Sequence, residues 1–124
     1  METKFYRCRH CGKVIQKVVD SKVPTMCCGE QMEELMPDTV DASREKHVPV
    51  VEILDDCKLK VKVGSVAHPM TPEHHIAFIY VETGHGGIRV DLKDKPEAVV
   101  CACAGKPTAV YAYCNLHGLW KTDL

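Results

Sequence analysis

Residues 58–63 read Lys-Leu-Lys-Val-Lys-Val, a strict alternation of charged and aliphatic side chains. A period of two puts Leu59, Val61 and Val63 on one face and the lysines on the other, as in a half-buried strand. Further β-branched and aromatic runs occupy 47–54 (HVPVVEIL), 75–82 (HIAFIYVE), 87–92 (GIRVDL), 98–104 (AVVCACA) and 108–114 (TAVYAYC). Turn formers separate them at Asp55-Asp56, Gly84 to Gly87, Lys95-Pro96 and Gly105-Lys106-Pro107. No long amphipathic helix is visible. Six or seven short strands at roughly ten-residue spacing predict a mainly β fold, a small antiparallel β-sandwich.

The front of the chain differs. Its aliphatics (Val14, Ile15, Val18, Val19, Leu35) are too few for an independent core, and a segment this short needs a staple. Residues 37–46 (PDTVDASREK) are polar and begin with proline, which predicts a linker with one short helical turn capped by Asp38 or Asp41. The chain is therefore expected to divide into a small stapled module, 1–36, and a sandwich, 37–124.

Charge and length narrow the chemistry. The 124 residues carry 16 Lys+Arg against 17 Asp+Glu, net −1, without the broad basic footprint of a nucleic-acid binder. No signal-like h-region and no 18-residue apolar stretch occurs, so the expectation is a cytoplasmic protein with no membrane partner. In that setting thiols stay reduced, and eight cysteines with seven histidines point to metal binding ahead of disulfides.

Cys8-Arg9-His10-Cys11-Gly12 is a C-x-x-C-G turn, and Cys27-Cys28 supply two more thiolates. Four thiolates suit a tetrahedral zinc or iron, which would stabilise the small module. Neighbouring residues of an extended chain point apart, so Cys27 and Cys28 need a special backbone to share one ion. Four sulfurs fill a tetrahedron, leaving His10 as an exposed residue of the turn.

A second set gathers at strand ends: His47, His68, the pair His74-His75, and Cys114 with His117 in a C-x-x-H turn. On extended chain His74 and His75 point to opposite faces, so one of them joins the site, and spacing alone does not choose. Cys101 and Cys103 share a face of their predicted strand about 6.5–7 Å apart, too stretched for a disulfide, and read as small core or interface residues. Cys57 reads as an exposed turn thiol, Trp120 as a residue packing against the site, and His85 in its glycine-rich turn has no evident partner.

The ordered motifs C-x-x-C, CCG, EKHVPV, GSVAHPM with a following H-x-I, and CNLHGLW resemble the two-iron superoxide reductases, the desulfoferrodoxins, from Phe5 to Trp120. The resemblance implies a desulforedoxin-like domain whose iron has four cysteine ligands, Cys8, Cys11, Cys27 and Cys28. It also implies an immunoglobulin-like sandwich whose iron has equatorial His47, His68, His74 and His117 and axial Cys114, and it selects His74 over His75. The implied activity is one-electron reduction of superoxide to hydrogen peroxide. Two irons per chain are implied, with zinc able to fill the four-cysteine site in recombinant protein.

Imidazoles suit Fe(II), and a thiolate stabilises Fe(III). Glu45 and Lys46 precede His47 directly. Lys46 can steer an anion or orient a proton-delivering water, and Glu45 resembles the family glutamate that can take the sixth position of oxidised iron. By resemblance the partners are a rubredoxin-like reduced donor and a second copy of the chain in a homodimer. The rival readings are a superoxide dismutase, and a zinc-stapled non-catalytic interaction module whose histidines are surface residues; the latter leaves EKHVP and CNLHG unexplained.

Overall fold

The computed structural model describes residues 3–124, and the chain divides between Met36 and Pro37 into two compact units. Unit 1 contains β1 (Phe5–Arg7), β2 (Val14–Gln16), β3 (Met26–Cys27), β4 (Glu30–Gln31) and β5 (Glu33–Leu35). One antiparallel sheet has the order β2-β1-β5, and β3 pairs with β4 as a separate hairpin. Among the described residues, Phe5, Cys8 and Met32 are its buried hydrophobics. That is too little apolar burial to offset ordering the segment, which is why it needs a cross-link. Arg7 lies opposite Glu33 in register and pairs with it at 3.0 Å, a half-buried ion pair that ties β1 to β5.

Unit 2 is a sandwich of seven strands preceded by one helical turn, α1 (Arg44–His47). The strands are β6 (Pro49–Ile53), β7 (Lys58–Val63), β8 (Ile76–Thr83), β9 (Gly86–Asp91), β10 (Glu97–Cys101), β11 (Pro107–Cys114) and β12 (Gly118–Asp123). One sheet runs β10-β7-β6 and the other β12-β11-β8-β9, all neighbours antiparallel: the antiparallel sandwich expected from the strand runs, in the immunoglobulin-like form that the resemblance implies. The alternation in β7 is realised as written: Leu59, Val61 and Val63 are buried, and they meet Ile79, Val81, Val100, Val110 and Ala112 in one core. Among the described residues no helix is long and apolar enough to cross a membrane.

Several local expectations change. β12 begins at Gly118, which adopts φ +77° and turns the chain straight back from β11; with no alternating run, it left no pattern to read. β10 stops at Cys101, and both Cys101 and Cys103 are exposed, so they are not core residues; Cys57 is half-buried. Asp38 does not cap α1. It adopts φ 60°, its N–H donates to Leu119 O at 2.9 Å, and its carboxylate accepts from Lys121 N at 3.2 Å, which fastens the start of the unit to β12. The N-cap position of α1 is Ser43, with no side-chain cap bond.

Candidate metal centres

The first cluster is built by two tight turns. After β1, Gly12 N donates to Cys8 O at 3.1 Å and Cys8 N to Lys13 O at 2.9 Å, folding the C-x-x-C segment into a knuckle. Gly12 takes φ +79°, which this reversal requires. Between β3 and β4 the two-residue loop is Cys28-Gly29, with φ of 52° and 74°. Positive φ at both positions is the signature of a type I′ hairpin turn, and it resolves the problem of adjacent cysteines by swinging the Cys28 side chain back beside Cys27.

Cys11 Sγ lies 3.7 Å from Cys27 Sγ, and Cys27 Sγ lies 3.9 Å from Cys28 Sγ. A tetrahedral ion with metal–sulfur bonds of ~2.3 Å requires sulfur–sulfur edges of about 3.8 Å, so the spacing fits. The Cys11 backbone N–H, 3.5 Å from Cys8 Sγ, helps to draw the Cys8 thiol down to about 6, whereas crowding by Cys8 and Cys11 pushes Cys28 up to about 12. A group of thiols that resist joint ionisation is the environment a cation relieves. His10 is exposed and pairs with the Glu30 carboxylate, outside the cluster.

The second cluster lies at one end of the sandwich. α1 supplies His47, the segment after β7 supplies His68, the residues before β8 supply His74, β11 ends on Cys114, and the turn into β12 supplies His117. The rings follow one another in the order 47, 68, 74, 117 around a square. Neighbouring rings stand 4.6 to 5.1 Å apart and nearly perpendicular, and His47 and His74 face each other across it at 6.4 Å. His47 Nε2 is 3.1 Å from His68 Nε2 and 3.1 Å from His117 Nδ1. Four nitrogens at ~2.1 Å around one ion stand about 3.0 Å apart along the edges of the square, which these distances match. Cys114 Sγ is 3.9 Å from His117 Nδ1 and fully buried.

The hydrogen bonds behind the rings orient them. His47 Nδ1 donates to Ser43 O at 2.6 Å and His68 Nδ1 to Pro69 O at 2.7 Å, so each ring presents an Nε2 lone pair to the centre. His74 Nε2 is buried without a hydrogen-bond partner. Lone pairs converging at this distance repel unless a cation sits between them, so the donor set fits a metal. Burial is the largest cause of the lowered pKa values of His47, His68 and His74, with His68 brought to about 4, and this keeps the rings in the neutral, ligating form near pH 7. Burial pushes the Cys114 thiol up, opposed by hydrogen bonds from the Leu116 and His117 backbone. Trp120 tilts against His47 at 5.0 Å and its indole N–H donates to His117 O at 3.1 Å, bracing two members of the square.

His75 stands apart. Its Nδ1 donates to Thr71 O at 2.9 Å and its N–H to Asn115 Oδ1 at 2.9 Å, the opposite orientation that adjacency on extended chain demands. Glu45 and Lys46 are both exposed on α1, and the Lys46 charge contributes to lowering both His47 and His74. The Glu45 carbonyl accepts from Val66 N at 3.0 Å and from Ser65 Oγ at 3.2 Å, which holds α1 against the segment that leads to His68. This anchoring by backbone was invisible to motif reading, although the glycine of GSVAHPM marks it: a Cβ at Gly64 would lie 2.5 Å from Glu45 O.

The desulfoferrodoxin family profile matches residues 39–123. The desulfoferrodoxin of Syntrophotalea carbinolica is 43% identical over 122 residues, covering 97% of this chain and 95% of the relative. The superoxide reductase of Pyrococcus abyssi is 38% identical over 112 residues, 73% of this chain and 97% of the relative. The crystal structure of the superoxide reductase from Treponema pallidum superposes with a TM-score of 0.80 at 35% identity, covering 99% of this chain and 100% of that one. With the fold, both clusters and these likenesses in agreement, the chain belongs to the desulfoferrodoxin family.

Proposed function

We propose that the protein is a superoxide reductase, which takes one electron and two protons to convert superoxide to hydrogen peroxide. The observation that supports it most is the clustering of ligand atoms: those of His47, His74, His117 and the buried Cys114 lie within 4.8 Å of one another, and His68 Nε2 reaches His47 Nε2 at 3.1 Å. In this reading His47, His68, His74, His117 and Cys114 hold one iron, and Cys8, Cys11, Cys27 and Cys28 hold a second. Iron held by the first set would supply the one-electron reductant. The second ion staples unit 1, whose buried side chains are few.

The chain's own residues then do the rest. The Lys46 ammonium is exposed and close enough for its charge to act on the histidines, so it attracts superoxide to a protein of net charge −1. It also orients a water from which a proton passes to the reduced oxygen species. Glu45, its neighbour, is an exposed carboxylate that would be available to the oxidised iron as a further ligand. Burial of His47, His68 and Cys114 keeps bulk water off the ligands. The electron comes from a reduced carrier of the rubredoxin type, and the reading includes a homodimer and a cytoplasmic setting in which the thiols stay reduced.

The test is stoichiometry. Reduced, iron-loaded protein exposed to superoxide should consume one reducing equivalent per superoxide and yield hydrogen peroxide with no oxygen release. Oxygen evolved together with peroxide would identify a dismutase instead. Cys114→Ser and His117→Ala should each abolish the reaction while the four-cysteine site stays filled.

A further inference from the structure

Three cysteines lie outside both clusters, and the sandwich brings them together. Cys57 closes the turn between β6 and β7, where its N–H donates to Asp55 Oδ1 at 2.8 Å. Cys101 ends β10, opposite Lys58 in register. The next rung is Ala102, whose N–H donates to Cys57 O at 2.6 Å. Cys57 is thus paired across the sheet edge with the residue between Cys101 and Cys103. An offset of one residue from a pair ~5 Å apart sets Cα atoms about 6 Å apart, inside the 4.4–6.8 Å that a disulfide spans. β10 stops at Cys101 and β7 begins at Lys58, so neither Cys57 nor Cys103 is held to strict strand alternation. Of the two neighbouring thiols, Cys57 acts on Cys103 more strongly than Cys101 does. Cys101 and Cys103 are exposed and Cys57 is half-buried, so a small oxidant reaches them.

We propose that Cys57 and Cys103 form a dithiol that hydrogen peroxide oxidises to an intramolecular disulfide. The Cys57 thiolate attacks one peroxide oxygen; an S–O bond forms as the O–O bond breaks, and the departing hydroxide takes up a proton as water. The Cys103 sulfur then displaces the sulfenic hydroxyl, which leaves as a second water after proton transfer, and the S–S bond forms. Two thiols lose two electrons and two protons, and one peroxide becomes two waters. Cys103 is the second thiol to react: its neighbours, Cys57 foremost, push it up to about 11, and it passes its proton to the departing hydroxyl as its sulfur attacks. The ligand thiols of the two candidate metal centres take no part. The inference rests on the proposed superoxide reduction only for the source of peroxide, which that reaction would release beside the dithiol's own chain.

The experiment adds hydrogen peroxide directly to the iron-loaded full chain, so its outcome is independent of superoxide chemistry. After peroxide is removed and free thiols are alkylated, protease peptides are read by mass. The expected result is a link between the Cys57 peptide and the Cys101–Cys103 peptide that reductant reverses. Cys57→Ser and Cys103→Ser should each lose it, whereas Cys101→Ser should keep it. All three variants should retain the visible spectra of both iron centres, which serves as the check on folding. No link at peroxide levels that spare the iron spectra, or a link that survives Cys103→Ser, overturns the proposal. A third metal ion per chain that disappears in Cys103→Ser would also overturn it, in favour of a thiolate metal site.

Discussion

His47 and His68 point Nε2 atoms at each other across 3.1 Å while their Nδ1 atoms donate to the carbonyls of Ser43 and Pro69. Two acceptors held this close define a centre made for a cation, and the same geometry governs what happens to the metal-free chain when the pH falls. Burial lowers His68 from 6.5 to about 4, so between those values the unfolded chain binds more protons than the folded one. Stability is therefore fully present above pH 6.5 and declines as pH falls towards 4, by up to about 3 kcal/mol for this residue, with His47 and His74 adding in the same direction. Urea denaturation of metal-free protein at about pH 7.5 and about pH 5 should show a lower midpoint at the lower pH. Equal midpoints would mean that the rings are not buried as neutral groups.

The pair His74-His75 gives a sharper test of the square. His74 offers a buried, unpartnered Nε2, while His75 is committed to Thr71 O. Replacing His74 by Ala should remove iron from the second centre and abolish superoxide reduction. His75→Ala should retain the metal and cost about 1 kcal/mol for one hydrogen bond. Iron analysis of the two variants distinguishes the roles; loss of metal in His75→Ala alone would reverse the assignment.

How far these arrangements could be read from the sequence depends on which forces fixed them. The β7 run was legible because burial of one face imposes a period of two on its own residues, with Leu59, Val61 and Val63 inward. β12 was not, because Gly118 to Asp123 are placed by pairing with Ala109 to Cys114, a tertiary cause that leaves no alternation. Ligand types were legible since Cys and His have few other reasons to gather at strand ends. The I′ turn at Cys28-Gly29 was half-legible: adjacency demanded an unusual backbone, but the positive φ of Cys28 follows from the two-residue hairpin between β3 and β4. The grouping of Cys57 with Cys103 depends on the cross-strand rung Ala102–Cys57, which no local pattern announces.

Lys46 is exposed, so its contribution is long-range and kinetic. Lys46→Ala should slow the second-order reaction with superoxide by about tenfold at low ionic strength and flatten its salt dependence, leaving iron content unchanged. Pulse radiolysis across a salt series measures both. An unchanged rate would remove Lys46 from the mechanism.

Cys28 tests whether unit 1 depends on its ion. With Phe5, Cys8 and Met32 as its buried hydrophobics among the described residues, this unit lacks the apolar area to hold its fold unaided. Cys28→Ala should lose the first metal and leave residues 3–36 open to proteolysis, while residues 37–124 keep theirs. Protease resistance of the front segment in that variant would show that the hairpins are self-sufficient.

Gly64 tests the support beneath the second centre without touching a ligand. A Cβ there would meet Glu45 O at 2.5 Å and Val48 O at 2.9 Å, both backbone atoms that cannot rotate away. To admit a methyl group, α1 must move off the segment after β7, and α1 carries His47. The displacement needed, roughly 0.5–1 Å, exceeds what a coordination bond fixed to within about 0.2 Å tolerates. Gly64→Ala should thus weaken iron binding at the second centre and reduce superoxide reduction at least tenfold, although Gly64 has no side chain to serve as a ligand. The four-cysteine centre should keep its metal, so the ratio of the two bands in the visible spectrum reports the effect within one sample. Adding iron in excess should recover part of the activity if the lesion is in affinity. A variant with both centres full and full activity would show that α1 is carried by its hydrogen bonds to Ser65 and Val66 with slack to spare, and that the close approach at Gly64 does not position His47.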